Sequence, residues 1–129
     1  MYRINVPEPV EVKFPLGPNP VGQMVERIEK YSIEKFLEEC LDNVPNITKG
    51  SENIRKWRKI GRIIEKSESR EWSEDKYIIL ETDEYDTLKK GADAVQWSPR
   101  VFKQILDLYD AFIGAEKFDP NDKEDQKSQ

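Results

Sequence analysis

Protein chemistry needs nucleophiles, proton carriers or metal ligands at matched spacing, and this sequence supplies few of them. It has one cysteine, Cys40, and no histidine. That removes serine–histidine and cysteine–histidine catalysis, and with them the commonest ligand of zinc, copper and non-haem iron. Cys40 recurs with Phe36, Leu37 and Leu41 at helical steps. Its neighbours Glu38, Glu39 and Asp42 disfavour a thiolate, so a buried, inert thiol is expected, and one thiol makes no internal disulfide. Carboxylates are plentiful, but Asp83, Glu84 and Asp86 fall in the first turn of a predicted helix, where acidic groups suit the helix dipole. The glycine and terminal glutamate of an EF-hand loop are missing there, and the scattered glycines cradle no phosphate. The expectation is a protein that is not an enzyme, with no catalytic residue, no metal site and no cofactor.

The one concentrated chemical feature is basic. Residues 49–62 carry six basic groups and one acidic, a net +5 in a chain whose net charge is −5, which leaves −10 on the remainder. In the helix predicted here from Ser51 to about Lys66, Arg55, Arg58, Lys59 and Arg62 lie opposite an apolar stripe of Ile54, Trp57, Gly61 and Ile64. Ile60 sits beside that stripe. Such polarity steers an anionic partner to one face; the bland alternative is a solvated face neutralised by the acidic body. Trp57 and Trp97 are expected as core anchors. Trp72 stands alone in the charged stretch 67–76, as a lid over the core or an exposed contact, and tryptophan is favoured at binding hot spots. The candidate partner-binding residues are therefore Arg55, Arg58, Lys59, Arg62 and Trp72.

Around this helix the chain must fold once, since 129 residues suffice for one hydrophobic core. Tyr2, Ile4 and Val6, then Val10, Val12 and Phe14, alternate as in strands, and the interrupting prolines restrict them to an edge or an extended arm. Residues 21–31 fit a short helix or an extended segment. Ser32 is a good N-cap for a helix through Val44, ended by Pro45. Tyr77 to Leu80 reads as a buried strand, and a third helix starts at Thr82 or Asp83. Ser98-Pro99 opens a fourth helix, with Trp97 placed to staple onto Phe102 and a broad apolar face from Val101 to Ile113. The predicted fold is α+β but mainly helical: about four helices with a small sheet from the N-terminal arm and residues 77–81. The predicted organisation is an extended arm over 1–20, one domain over 21–115 and a disordered polar tail over 116–129.

The order of these segments carries a resemblance. A Val6-Pro-Glu-Pro-Val10 extended start precedes a helix opened by Ser32-Ile-Glu-Lys-Phe36-Leu37 and then the basic helix. Ile79-Leu80-Glu81-Thr-Asp83-Glu84-Tyr85-Asp86-Thr-Leu88-Lys89 follows, and a last helix ends in Leu108-Tyr109-Asp110-Ala111-Phe112. This resembles small proteins of tailed bacteriophages and prophages, often encoded among virion morphogenesis genes. The resemblance spans roughly residues 4–115 and transfers no functional residue. It implies an assembly or accessory protein in the host cytoplasm or the virion. The expected function is a non-catalytic interaction protein binding a viral structural or host protein, with self-association as a further option. The alternative is a small regulator contacting nucleic acid through residues 51–66, disfavoured by the acidic body. No run approaches the ~18 apolar residues of a membrane span, so no membrane contact is expected.

Overall fold

The computed structural model describes residues 1–70 and 76–118. In chain order the elements are β1 (Tyr2–Asn5), β2 (Val10–Pro18), β3 (Met24–Tyr31), α1 (Ile33–Asp42), α2 (Ser51–Glu68), β4 (Tyr77–Leu80), α3 (Thr82–Ala94), α4 (Pro99–Gln104), α5 (Leu106–Ile113) and β5 (Glu116–Lys117). The mainly helical, four-helix expectation is thereby corrected. The described residues hold five helices and two antiparallel sheets, one ordered β4-β1-β5 and the other the ribbon β2-β3.

Three causes account for the difference. First, the predicted fourth helix breaks at Ile105, whose φ of −108° and ψ of 16° end α4 and begin α5. An unbroken helix could not bury so broad an apolar face. After the break α4 lies along β2, while α5 turns Leu108 and Phe112 fully inward and leaves Leu106 and Ile113 at the surface. Second, residues 24–31 are extended because they pair with β2 from Val10↔Tyr31 to Pro18↔Met24, a partner invisible to local periodicity. Third, β1 is no edge element. It is the central strand, with Tyr2↔Leu80 to Asn5↔Tyr77 on one side and Tyr2↔Lys117 and Arg3↔Glu116 on the other. Pro7 and Pro9 follow the strand and interrupt no ladder bond.

Smaller expectations also change. Glu116 and Lys117, read as the start of the tail, form a strand tied by the Arg3–Glu116 ion pair. β4 alternates instead of being buried throughout: Ile78 and Leu80 point inward, Tyr77 and Ile79 outward. Gly50, at φ 89°, caps α2, a backbone conformation that a Cβ would strain. Ser32 does cap α1, its Oγ accepting from Lys35 N at 3.3 Å.

The core is organised on α1, which buries Ile33, Glu34, Phe36, Leu37, Cys40 and Leu41. Phe36 stacks on Trp97 (5.7 Å between ring centroids) and meets Tyr109 and Phe112 edge-on at 6.3 and 5.8 Å. Tyr85 on α3 stacks on Tyr2 at 4.0 Å and donates from its hydroxyl to the Phe112 carbonyl at 2.7 Å, joining sheet, α3 and α5. At the α1–α3 crossing the backbones nearly touch. A Cβ on Gly91 would lie 1.7 Å from the Cys40 carbonyl oxygen and 2.8 Å from Val44 Cγ2.

Gly91→Ala must therefore drive the two helices apart, and a loss of about 3 kcal/mol is expected in denaturant melts. Gly61→Ala is the control, because its Cβ would meet nothing nearer than Leu41 Cδ2 at 4.0 Å. That change should stabilise by up to about 1 kcal/mol through helix propensity.

Candidate interaction surface on the basic helix

Helix α2 buries Ile60, Ile64 and Ser67 against its neighbours. The basic groups then divide into two sets. On the side facing α3, Lys59 Nζ lies 3.3 Å from Glu81 Oε2 and 3.6 Å from Glu84 Oε2, and Lys56 Nζ lies 3.7 Å from Asp83 Oδ2. The Glu81 hydrogen bond, followed by the Glu84 charge, raises the Lys59 pKa. Glu84 is itself buried, with its Oε1 accepting from the Glu81 N–H at 2.8 Å. The acidic first turn of α3 thus already claims Lys59, which sequence pattern had grouped with the arginines.

The second set differs in pairing and not in exposure, since Lys59 is exposed as well. Arg55, Arg58 and Arg62 are exposed, and among the described residues none has a carboxylate within ion-pair distance. With Lys66 they follow one helical stripe that rises about 16 Å. Together with Lys59 they line a shallow cavity of about 430 Å³ floored by Ile63. On the α1 side Arg58 and Arg62 share a second hollow, about 380 Å³, with Trp57, Glu38, Asp42 and Glu65. Burial raises the Glu38 carboxyl pKa, and the nearby charge of Glu68 adds to it.

Trp57 is not the core anchor its spacing suggested. It is 36% exposed at the rim of α2, donating from Nε1 to Asp42 Oδ1 at 3.3 Å, with Ile54 comparably exposed one turn earlier. Trp97 does pack against the core, between Phe36 and Phe102. Of the five predicted binding residues, the structure brings Arg55, Arg58, Lys59 and Arg62 together around one hollow, with Lys59 also paired to Glu81. Trp72 lies outside the described residues.

Sequence reasoning missed a buried ionic knot beneath α2. Glu34 Oε1 accepts from Lys76 Nζ at 2.8 Å and from Ser67 Oγ at 2.7 Å, and Lys76 also donates to the Arg70 carbonyl at 3.3 Å. Burial alone would raise the Glu34 carboxyl pKa. The hydrogen bonds from Lys76 and Ser67 outweigh it and hold the group below its ordinary range. The signal was present: Glu34 stands three and seven residues before Leu37 and Leu41, on the inward stripe. Fully paired, it anchors α1 to α2 and is no proton carrier. Cys40 is equally inert, since burial and the charge of Glu39 push its thiol up to about 12. Among the described residues no three metal-ligating side chains converge, and no helix is long and apolar enough to cross a membrane. The chemistry this surface offers is recognition of negative charge by guanidinium groups beside exposed apolar side chains.

Lys76→Met tests the knot. It strands a buried carboxylate, and a loss of about 3–5 kcal/mol at neutral pH is expected in denaturant melts. In the wild type the Glu34 contribution is complete above the ordinary carboxyl value of 4.5 and fades as pH falls through the depressed folded value. In the variant, acid neutralises the stranded charge, so the stability gap between the two should narrow on acidification.

The chain matches no family model, no curated protein and no solved structure.

Proposed function

We propose that this chain is a non-catalytic interaction protein that holds an acidic protein surface against the outer face of α2. The observation that carries this reading is the division of the basic groups. Lys56 and Lys59 already pair with carboxylates of the same chain, while Arg55, Arg58 and Arg62 have no such partner among the described residues and lie near Trp57 and Ile54, each about a third exposed. Arginine and tryptophan around small hollows is the composition of protein-binding hot spots. The resemblance to small phage and prophage proteins, often encoded among virion morphogenesis genes, supports an assembly or accessory role, with a viral structural protein or a host protein as the partner. Nucleic acid is the weaker fit. The open stripe offers about four phosphate contacts, and Glu38, Glu65 and Asp42 border it, so a uniformly charged phosphate backbone would meet repulsion along one side, where a protein surface can set neutral or basic residues.

The double variant Arg58→Glu/Arg62→Glu tests the reading. These side chains are exposed, so circular dichroism and melting should be unchanged. Capture of the partner from lysate of the source cells should weaken by at least about 2 kcal/mol, some thirtyfold. Duplex and single-stranded DNA, titrated at low salt, should show no micromolar binding to either form. Micromolar DNA binding, lost in the variant and falling with salt at a log–log slope near −3.6, would replace the protein partner with nucleic acid.

A further inference from the structure

The β2–β3 ribbon treats its two edges differently. On the β2 edge the Lys13 N–H donates to Gln104 Oε1 at 2.8 Å, and Gln104 Nε2 donates back to the Lys13 carbonyl at 3.1 Å. One side-chain amide thus stands in for a neighbouring strand. Two residues on, Pro15 has no N–H to offer, so this edge is closed.

The β3 edge is open. Lys13 pairs with Ile28, and because the backbone groups of Lys13 turn away from the ribbon, those of Ile28 must turn away on the opposite side. The same alternation places the backbone groups of Glu26 and Lys30 on that edge. Among the described residues no strand lies beyond β3, and only the Lys30 carbonyl finds a donor there, Lys35 Nζ at 3.2 Å. The side chain of Ile28 is 59% exposed and that of Met24 68%. Unlike Arg27 and Glu29, which lie 3.4 Å apart, Glu26 and Lys30 make no ion pair among the described residues.

We propose that β3 pairs with β3 of a second copy of this chain, antiparallel about a two-fold axis at Ile28, giving a four-stranded sheet. The sequence Glu26-Arg27-Ile28-Glu29-Lys30 is self-complementary in this register. Glu26 faces Lys30 of the second copy, Arg27 faces Glu29, and Ile28 faces itself, each relation occurring twice except the last. Ile28, Glu26 and Lys30 are also the residues whose backbone groups point outward, so the charge register and the hydrogen-bond register coincide. Centring the axis on Glu26 or Lys30 would instead set each charge against its own copy. Charges scattered on an edge merely to prevent pairing would have no reason to match this way. The interface is separate from α2 and does not depend on the role given to that helix.

Sedimentation velocity over a concentration series is the test. The wild type should show a monomer–dimer equilibrium. Ile28→Pro removes an outward N–H that the ribbon itself does not use, so it should give a folded monomer. Glu26→Lys and Lys30→Glu each oppose like charges twice and should weaken the dimer at least about tenfold. An equal mixture of those two variants restores every opposite-charge pair and should dimerise again, as should the double swap. A wild type that stays monomeric at every concentration overturns the proposal. So does association indifferent to Ile28→Pro, or a failure of the mixture to recover.

Discussion

Helix α1 can occupy the centre of this fold because α3 meets it with a residue that has no side chain. At Gly91 the α3 backbone comes so close to the Cys40 carbonyl that no Cβ would fit, and Val44 presses on the same point. Helices ordinarily pack 8–10 Å apart through interdigitated side chains. Here the approach is closer, and around the same helix Phe36 meets Trp97, Tyr109 and Phe112, while Tyr85 on α3 bridges Tyr2 and the end of α5.

Electrostatics follows the same geometry. Once α1 is fixed, Glu34 is carried to the α1–α2 boundary, where Lys76 and Ser67 satisfy it. Once α3 is fixed, its acidic first turn lies beside α2 and draws in Lys56 and Lys59. The outer face of α2 is therefore what remains after internal pairing has taken its share. Its arginines stay unpaired because the α3 carboxylates are taken by the lysines, and because Glu38 and Asp42 of α1 border Arg58 and Arg62 without coming within ion-pair distance. The acidic remainder of the chain keeps most other surfaces negative, so the arginine stripe is a local exception in the field of the whole molecule.

What was legible in the sequence depended on range. The Ser32 cap, the helical register from Ile33 to Leu41 and the Trp97–Phe102 staple are written within a few neighbouring residues. Elements defined by a distant partner were not. Residues 24–31 became a strand because β2 lies beside them, β1 became central because residues 77–80 and 116–117 flank it, and the last helix broke because α4 and α5 serve different neighbours. The same limit divided the candidate site. Arg55, Arg58 and Arg62 were readable as a helix face, but that Lys59 belongs to α3 depends on a contact 22 positions away. Trp57 misled because helical spacing fixes a direction and says nothing of where the neighbouring element stops.

The central position of β1 also shapes how the sheet forms. Its ladder needs residues 77–80 on one side and residues 116–117 on the other, and Arg3 meets Glu116 across 113 positions. The β2–β3 ribbon and the α1–α2 pair draw on nearer contacts and can assemble early; the main sheet closes only when these distant segments meet. Until then β1, with Tyr2 and Ile4, is an unpaired strand. Arg3, between them, places a charge in its middle, the kind of guard that discourages premature pairing with a stranger. In the folded protein that guanidinium turns to Glu116 and rests 5.9 Å from the centre of the Tyr77 ring. One residue thus serves twice, guarding the strand before the sheet forms and meeting both flanking strands afterwards.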